Sequence, residues 1–527
     1  MKLTLFQQIK TRHKKTLMQL LPLKGFNFAI SGIIIAFFCL AFSTTFVSAQ
    51  KGYEIKVKIH GIKDTTLLLG HHYANGIYPN DTIRVDKNGS GVFKGKKELP
   101  QGMYIVFLPS RNYFDIVIGD DQFFSIESDT NNFAKTVKIS GSMENQIFYD
   151  YQNLLMSKRD DVKKLQEQRK VAKTDDEKKL LTDQFKAIDN EVKQYKEKTM
   201  ADNKNSFIGK FIKATQDVEI PDFPRDAAGH IIDSSFQYNF YRNHYLDNFD
   251  ISDIRLLYTP LYEDKLITYV DKVIPQIPDS INNEVDILIA KSRKSPDLFR
   301  YMLITLLKHY SDSPMMGFDA ISLYIADKYY IKEATWEDST HIRKMKEQVA
   351  RRIPLILGKV AADVQLRFVP KEHFIEAADS LPLKKYPHAG NFFKLSDIKS
   401  DFIILFFWEA DCSHCKKATP LMYELYPKLK AKNAEVIAIS TLFGEEGKVK
   451  WVNFVNEHKL YDWINAWNPY DYNFKEQYDI LSTPSIFILD KDRRIIAKRI
   501  DPAQCEEIID HYIAVEKRTK TPKAPIK

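Results

Sequence analysis

Residues Phe402-Ile403-Ile404-Leu405-Phe406-Phe407-Trp408 form an unbroken apolar run, and Cys412-Ser413-His414-Cys415 follows after three intervening residues. A run this short with no polar alternation reads as a strand buried on both faces, the environment of a central strand in a sheet covered by helices on either side. The residues downstream fit that setting. They predict a helix from Ser413, a strand over 435–440, a helix over 448–458 and a strand over 485–489. A turn at Asp490-Lys491-Asp492-Arg493, a strand over 495–499 and a last helix from Pro502 complete the order β-α-β-α-β-β-α.

A chain of 527 residues is too long for one core, and domain sizes favour about three. From Tyr53 to Ser140 the pattern is of short strands. Tyr53–Ile59 and Thr136–Ile139 alternate polar with apolar residues, Asp115–Ile118 is apolar, and Lys87-Asn88-Gly89-Ser90-Gly91 and Gly119-Asp120-Asp121 are turn signals. After Gly141 glycine nearly disappears, and Leu181, Phe185, Ile188, Val192 and Tyr195 recur at four- and three-residue steps, a helical stripe. Thr174 with Glu177 is a capping box, which makes residues 147–200 a pair of helices. Residues 205–356 continue as helices punctuated by Pro221, Pro224, Pro260, Pro275, Pro278 and Pro296. The chain therefore reads as multidomain: an N-terminal antiparallel β domain resembling a sandwich (50–141), an all-α middle domain (142–356), a C-terminal α/β domain (357–517) and a disordered tail (518–527).

The first 49 residues stand apart. Lys2, Lys10, Arg12, Lys14, Lys15 and Lys24 occur with no acidic residue, an apolar stretch runs from Phe28 to Phe46, and Val47-Ser48-Ala49 precedes Gln50. This is the layout of a secretory signal, with an uncleaved membrane anchor as the alternative. Cys39 lies inside the apolar stretch without the small neighbours of a lipid-attachment site, so it reads as signal sequence. Removing residues 1–49 lowers the formal charge from +8 to +2, with 71 basic against 69 acidic residues, so the basic balance gives no reason to expect a nucleic-acid partner.

Three cysteines then remain, Cys412, Cys415 and Cys505. A secreted protein that uses cysteine structurally usually carries several well-separated pairs, whereas one close pair on a large chain points to redox chemistry or metal binding. Where a buried strand gives way to a helix, the first cysteine of C-x-x-C sits at the helix N-terminus, where free N–H groups favour a thiolate. Cys412 is thus the candidate nucleophile, and Cys415, one turn further in, the resolving thiol of a redox disulfide between the two. Zinc would need two further ligands, for which only Cys505 and scattered histidines are available, so no metal and no cofactor are called for. Cys505 reads as a packing residue, His71-His72 as surface, and Met315-Met316 and Tyr329-Tyr330 as core or interface residues.

Phe407-Trp408-Glu409-Ala410-Asp411-Cys412-Ser413-His414-Cys415, Pro420 five residues on, and Ser482-Thr483-Pro484-Ser485 together resemble the thioredoxin-like extracytoplasmic thiol-disulfide oxidoreductases of the TlpA/ResA-like branch, over about residues 357–517. The resemblance implies that Thr483-Pro484 is a cis peptide beside Cys412 that shapes a substrate groove, and that Trp408, His414, Thr483, Pro484 and Glu409 support the cysteine pair. It also implies disulfide-containing client proteins and an upstream membrane thiol electron donor. The sequence departs from the pattern at Asp411, where the family usually has Trp, at Ala418, where reductases often carry Glu, and at Phe406, where thioredoxin has a buried Asp. The usual proton acceptors for the second thiol are therefore missing. Glu409 and Asp411 are the nearest substitutes, and a negative charge beside Cys412 would raise its pKa. A protonated His414 would act the other way, stabilising the thiolate and making the disulfide a better oxidant.

The leading expectation is a protein disulfide reductase of the periplasm or envelope of a Gram-negative bacterium, with membrane anchorage through the N-terminus as an option. The alternatives are a disulfide oxidase or isomerase using the same pair, and an envelope binding or assembly protein whose thioredoxin domain is a scaffold. A peroxiredoxin is disfavoured, because Asp411-Cys412 offers neither the T-x-x-C setting nor the arginine such enzymes need.

Overall fold

The computed structural model describes residues 52–110, 112–130, 133–379, 392–467 and 473–520. The expected export signal, Cys39 and residues 521–527 lie outside the described residues. Among those described, no helix is long and apolar enough to cross a membrane.

The strands of the first region are β1 (Tyr53–His60), β2 (Thr66–Tyr73), β3 (Gly76–Arg84), β4 (Ser90–Gly95), β5 (Gly102–Phe107), β6 (Tyr113–Ile118), β7 (Phe123–Asp129) and β8 (Lys138–Ser140). They form two four-stranded sheets, ordered β4-β1-β7-β8 and β3-β2-β5-β6. Alternation in β1 sends Ile55, Val57 and Ile59 into a core shared with Leu67, Leu69, Val106, Ile116 and Phe124, while Lys56 and Lys58 face water. One pairing departs from the antiparallel expectation: β1 runs parallel to β7. The chain reaches β7 from β1 only after crossing through the other sheet, so β7 can enter beside β1 in the same direction. At the β3–β4 turn Gly89 has φ +74°, and a Cβ there would lie 2.1 Å from the Ile59 carbonyl oxygen. Only glycine fits.

His71 and His72, expected on the surface, are half-buried. β2 is an interior strand, and the His71 ring lies 5.8 Å from Tyr104 of the neighbouring β5 and 5.7 Å from Tyr258 of the helical region. Backbone hydrogen bonds from Met103 to Tyr258 (2.8 Å) and from Ala74 to Leu257 (2.7 Å) fix the same junction.

In the helical region α1 (Met143–Val171) and α2 (Asp175–Asp202) form a hairpin, starting earlier than predicted because Ser142 caps α1. The capping box forms: Glu177 N–H donates to Thr174 Oγ1 at 3.2 Å and Thr174 N–H donates to Glu177 Oε2 at 3.0 Å. Of the predicted stripe Leu181 is buried, and Phe185, Ile188, Val192 and Tyr195 are half-buried. Then follow α3 (Phe207–Ala214), α4 (Pro278–Ser292), α5 (Pro296–Ser311) and α6 (Ser339–Arg352). Pro278 and Pro296 open α4 and α5 rather than breaking them. Tyr329 and Tyr330 are buried in this region, whereas Met315 and Met316 are exposed rather than in the core.

The C-terminal region holds a seven-stranded sheet, β10-β9-β13-β12-β11-β14-β15. Its elements are β9 (Gln365–Phe368), β10 (Phe392–Lys394), β11 (Phe402–Trp408), α7 (Ser413–Ala431), β12 (Ala434–Ser440), α8 (Gly444–Glu457), β13 (Ile464–Trp467), α9 (Asn473–Gln477), β14 (Ser485–Leu489), β15 (Ile495–Lys498) and α10 (Gln504–Lys520). Every residue of β11 and β12 is buried. Alternate residues serve two cores: Phe402, Ile404, Phe406 and Trp408 face one, and Ile403, Leu405 and Phe407 the other. β11 pairs parallel with β12 and antiparallel with β14.

Three features differ from the predicted order. The short strands β9 and β10 extend one side of the sheet. β13 interposes between α8 and β14, and its alternation is interrupted by buried Asn465, which accepts from Trp463 Nε1 at 3.1 Å and donates to Leu460 O at 2.6 Å. The last helix continues to Lys520, past the expected tail boundary at 518. Cys505, on that helix, is fully buried in the core.

Candidate active site

β11 delivers its chain at Trp408, whose carbonyl accepts the Thr441 N–H at 3.0 Å. Three residues then turn the chain into α7, with Cys412 as its N-cap in an extended conformation. The Cys412 N–H donates to Glu409 O at 3.3 Å, and the Cys412 carbonyl accepts the Lys416 N–H at 3.0 Å as the first bond of the helix. Cys412 is half-exposed and Cys415 fully buried, both as free thiols. Pro420 and Pro427 lie inside α7.

Opposite α7, Thr483-Pro484 is a cis peptide just before β14. The Cys412 thiol donates to the Thr483 carbonyl at 3.2 Å, so the two motifs, distant in sequence, meet in space. The Cys415 sulfur accepts the Glu409 N–H at 3.4 Å.

The two thiols differ sharply. Burial is the largest single influence on Cys412 and opposes ionisation. The N–H groups of Cys415 and His414, the Cys415 thiol and the Thr483 hydroxyl outweigh it, and the pKa falls below that of an ordinary thiol. Burial pushes the Cys415 thiol up to about 12. Cys412 is thus the more readily ionised of the two sulfurs, and Cys415 is held as a thiol.

The acids near the pair are engaged elsewhere. Glu409 Oε1 accepts from Thr441 Oγ1 at 2.5 Å and lies 3.6 Å from Lys475 Nζ. Asp411 pairs with Lys450 at 3.1 Å. Each carboxylate thus has a lysine partner, while backbone and side-chain donors converge on the Cys412 sulfur. His414 is exposed and contributes its backbone N–H to Cys412. Trp408, expected to support the cysteine pair, is fully buried, stacks on Phe406 with centroids 6.4 Å apart and shares a core with Cys415. Thr441, Lys450 and Lys475 carry no local motif that marks them in the sequence; each is an ordinary polar residue that the fold brings to the site.

Residues 376–498 match the AhpC/TSA family, residues 53–148 a domain of unknown function (DUF4369) and residues 187–351 another (DUF5106). The thiol-disulfide oxidoreductase ResA of Bacillus thuringiensis subsp. konkukian is 30% identical over 160 residues, which is 30% of this chain and 89% of that protein. ResA of Bacillus anthracis is 32% identical over 126 residues, 24% of this chain and 68% of its own length. Among solved structures, a domain of a possible thiol-disulfide isomerase from Cytophaga hutchinsonii is 30% identical and covers 31% of this chain and 98% of its own, with a TM-score of 0.26. A thioredoxin-like protein from Bacteroides caccae is 18% identical and covers 56% of this chain and 100% of its own, with a TM-score of 0.39. The chain belongs, through the thioredoxin-like region in its C-terminal third, to the ResA family of thiol-disulfide oxidoreductases.

Proposed function

We propose that the protein is an extracytoplasmic protein disulfide reductase in which Cys412 is the nucleophile and Cys415 the resolving thiol. The observation that carries this reading is the inequality of the two sulfurs. Cys412 is accessible with its pKa lowered by converging donors, and Cys415 is buried with its pKa pushed up to about 12. The Cys412 thiolate attacks one sulfur of a client disulfide. The client S–S bond breaks, a Cys412–client disulfide forms, and the departing client sulfur takes a proton from water. Cys415 then loses its proton and attacks Cys412 Sγ, releasing the second client thiol and leaving a Cys412–Cys415 disulfide.

Thr483 and Pro484 flank the nucleophile, with the Thr483 carbonyl within reach of its sulfur. The Glu409 N–H, already on Cys415, stabilises the charge that develops there in the second step. Two electrons pass to the client, so turnover requires a dithiol donor, which we assign to a membrane thiol carrier. Export is inferred from the layout of residues 1–49, and cell fractionation tests it.

The lowered pKa of Cys412 also favours a second reading, an oxidase or isomerase, because a stabilised thiolate makes its disulfide more oxidising. Equilibration of the protein with glutathione buffers separates the two. A potential near about −270 mV supports reduction and one near about −120 mV supports oxidation or isomerisation. If no reversible disulfide forms between Cys412 and Cys415, both readings fall and a scaffold role replaces them.

A further inference from the structure

The segment Leu481–Ser485, which carries Thr483-Pro484, is held at both ends by one charge cluster centred on the buried Asp479. Upstream, α9 ends and the chain closes through an Ile480 N–H to Lys475 O bond of 2.8 Å, with Asp479 at φ 46°. A left-handed residue after a helix end is usually glycine, and aspartate tolerates the position better than most. The Asp479 side chain is only 3% exposed. A buried carboxylate is stable only with partners. It has three: Arg352 Nε at 2.8 Å, Arg499 Nη2 at 2.8 Å and Arg351 Nε at 3.8 Å.

Arg499 also works downstream. Its backbone N–H donates to Ile486 O at 2.7 Å, immediately after the segment. One residue therefore grips Asp479 with its side chain and Ile486 with its main chain. Arg351 and Arg352 come from a different part of the molecule, the end of α6 in the helical region. The neighbouring Lys498, at the end of β15, donates to Asp319 at 2.5 Å and to Leu355 O at 2.6 Å, both also in or just after the helical region. The helical region thus meets both chain segments that frame Leu481–Ser485.

We propose that Arg352 is a positioning residue for disulfide exchange: by holding Asp479 it fixes Thr483 against Cys412 and makes the helical region part of the redox site. The inference rests on Cys412 being the nucleophile. Arg352 touches neither sulfur and acts through Asp479, whose short tether to Thr483 transmits the position. Thr483 supplies both the carbonyl at 3.2 Å from Cys412 and a hydroxyl that lowers the pKa of that thiol. Loosening the clamp withdraws both from the site where the client must bind.

The test uses the full chain, with insulin as the disulfide substrate and a pyridyl disulfide to titrate Cys412. Arg352→Ala is expected to lower kcat/KM for insulin about five- to tenfold, mainly through KM, and to raise the midpoint pH of Cys412 reactivity. Asp479→Asn changes both in the same direction, Arg352→Lys gives an intermediate effect, and Arg343→Ala, on the same helix outside the clamp, changes neither. A purely structural salt bridge would lower the melting temperature and leave the Cys412 midpoint and KM in place; that result overturns the proposal. If Arg352→Ala does not fold, Arg352→Lys decides by the same two readouts. Cys412→Ser isolates the underlying reading: retained turnover there refutes the nucleophile assignment, whereas lost turnover with unshifted Arg352 variants refutes only the clamp.

Discussion

Thr483→Val removes one hydroxyl and keeps the shape and the backbone carbonyl of the residue beside Cys412. That hydroxyl is one of the donors that hold the Cys412 pKa below its ordinary value. A hydrogen bond to a charged group contributes about 1.5–3 kcal/mol, and partial exposure of the sulfur places this one near the low end. At about 1.36 kcal/mol per pKa unit, the variant should raise the Cys412 pKa by about one unit. Below the midpoint this cuts the thiolate population about tenfold. A more basic thiolate is also a better nucleophile, with a Brønsted coefficient of about 0.4–0.5, so the observed rate should fall only about threefold. Stopped-flow reaction with a pyridyl disulfide across pH 4–10 measures both quantities. An unmoved midpoint would refute the assignment of the Thr483 hydroxyl to the thiolate.

Other expectations test the scaffold around the site. Asn465→Ala strands the buried Trp463 indole N–H and the Leu460 carbonyl and should cost about 3 kcal/mol in urea unfolding, at about 1–3 kcal/mol for each unsatisfied group. Gly89→Ala places a Cβ 2.1 Å from the Ile59 carbonyl at φ +74° and should lower stability by about 1–3 kcal/mol, read as a fall in melting temperature. Burial raises the Cys505 pKa to about 12, against about 8.5 in an unfolded chain, so its contribution is fully present below about pH 8.5 and is lost as pH rises toward the folded value. The stability advantage of the native protein over Cys505→Ala should therefore shrink by about 2 kcal/mol between pH 8 and pH 10 in denaturant titrations.

What can be read from the sequence follows from contiguity. Phe402–Trp408 announces a doubly buried strand without reference to anything else, and the spacing of Cys412, Cys415 and Pro420 places them on the helix that follows. The Thr174–Glu177 box is equally local. β13 is hidden because Asn465 breaks its apolar pattern, and its role depends on side-chain partners that only the fold brings into reach. The same reason obscures the electrostatics of the site. Glu409 and Asp411 look like uncompensated acids in the sequence, and their cations, Lys475 and Lys450, arrive from α9 and α8. His71 reads as surface in the sequence because its ring neighbours, Tyr104 of β5 and Tyr258 of the helical region, are distant along the chain. The Asp479 cluster combines both difficulties, since Arg352 and Arg499 approach from opposite sides in sequence.

The most direct test of the proposed exchange is to trap its intermediate. Cys415→Ser incubated with a disulfide-bonded client and analysed by mass spectrometry after rapid acid quenching should accumulate a mixed disulfide at Cys412. Cys412→Ser should yield none, because Cys415 is buried and held as a thiol with its pKa pushed up to about 12. A mixed disulfide at Cys415 in the Cys412→Ser protein, or none at Cys412 in the Cys415→Ser protein, would contradict the assignment of the two sulfurs.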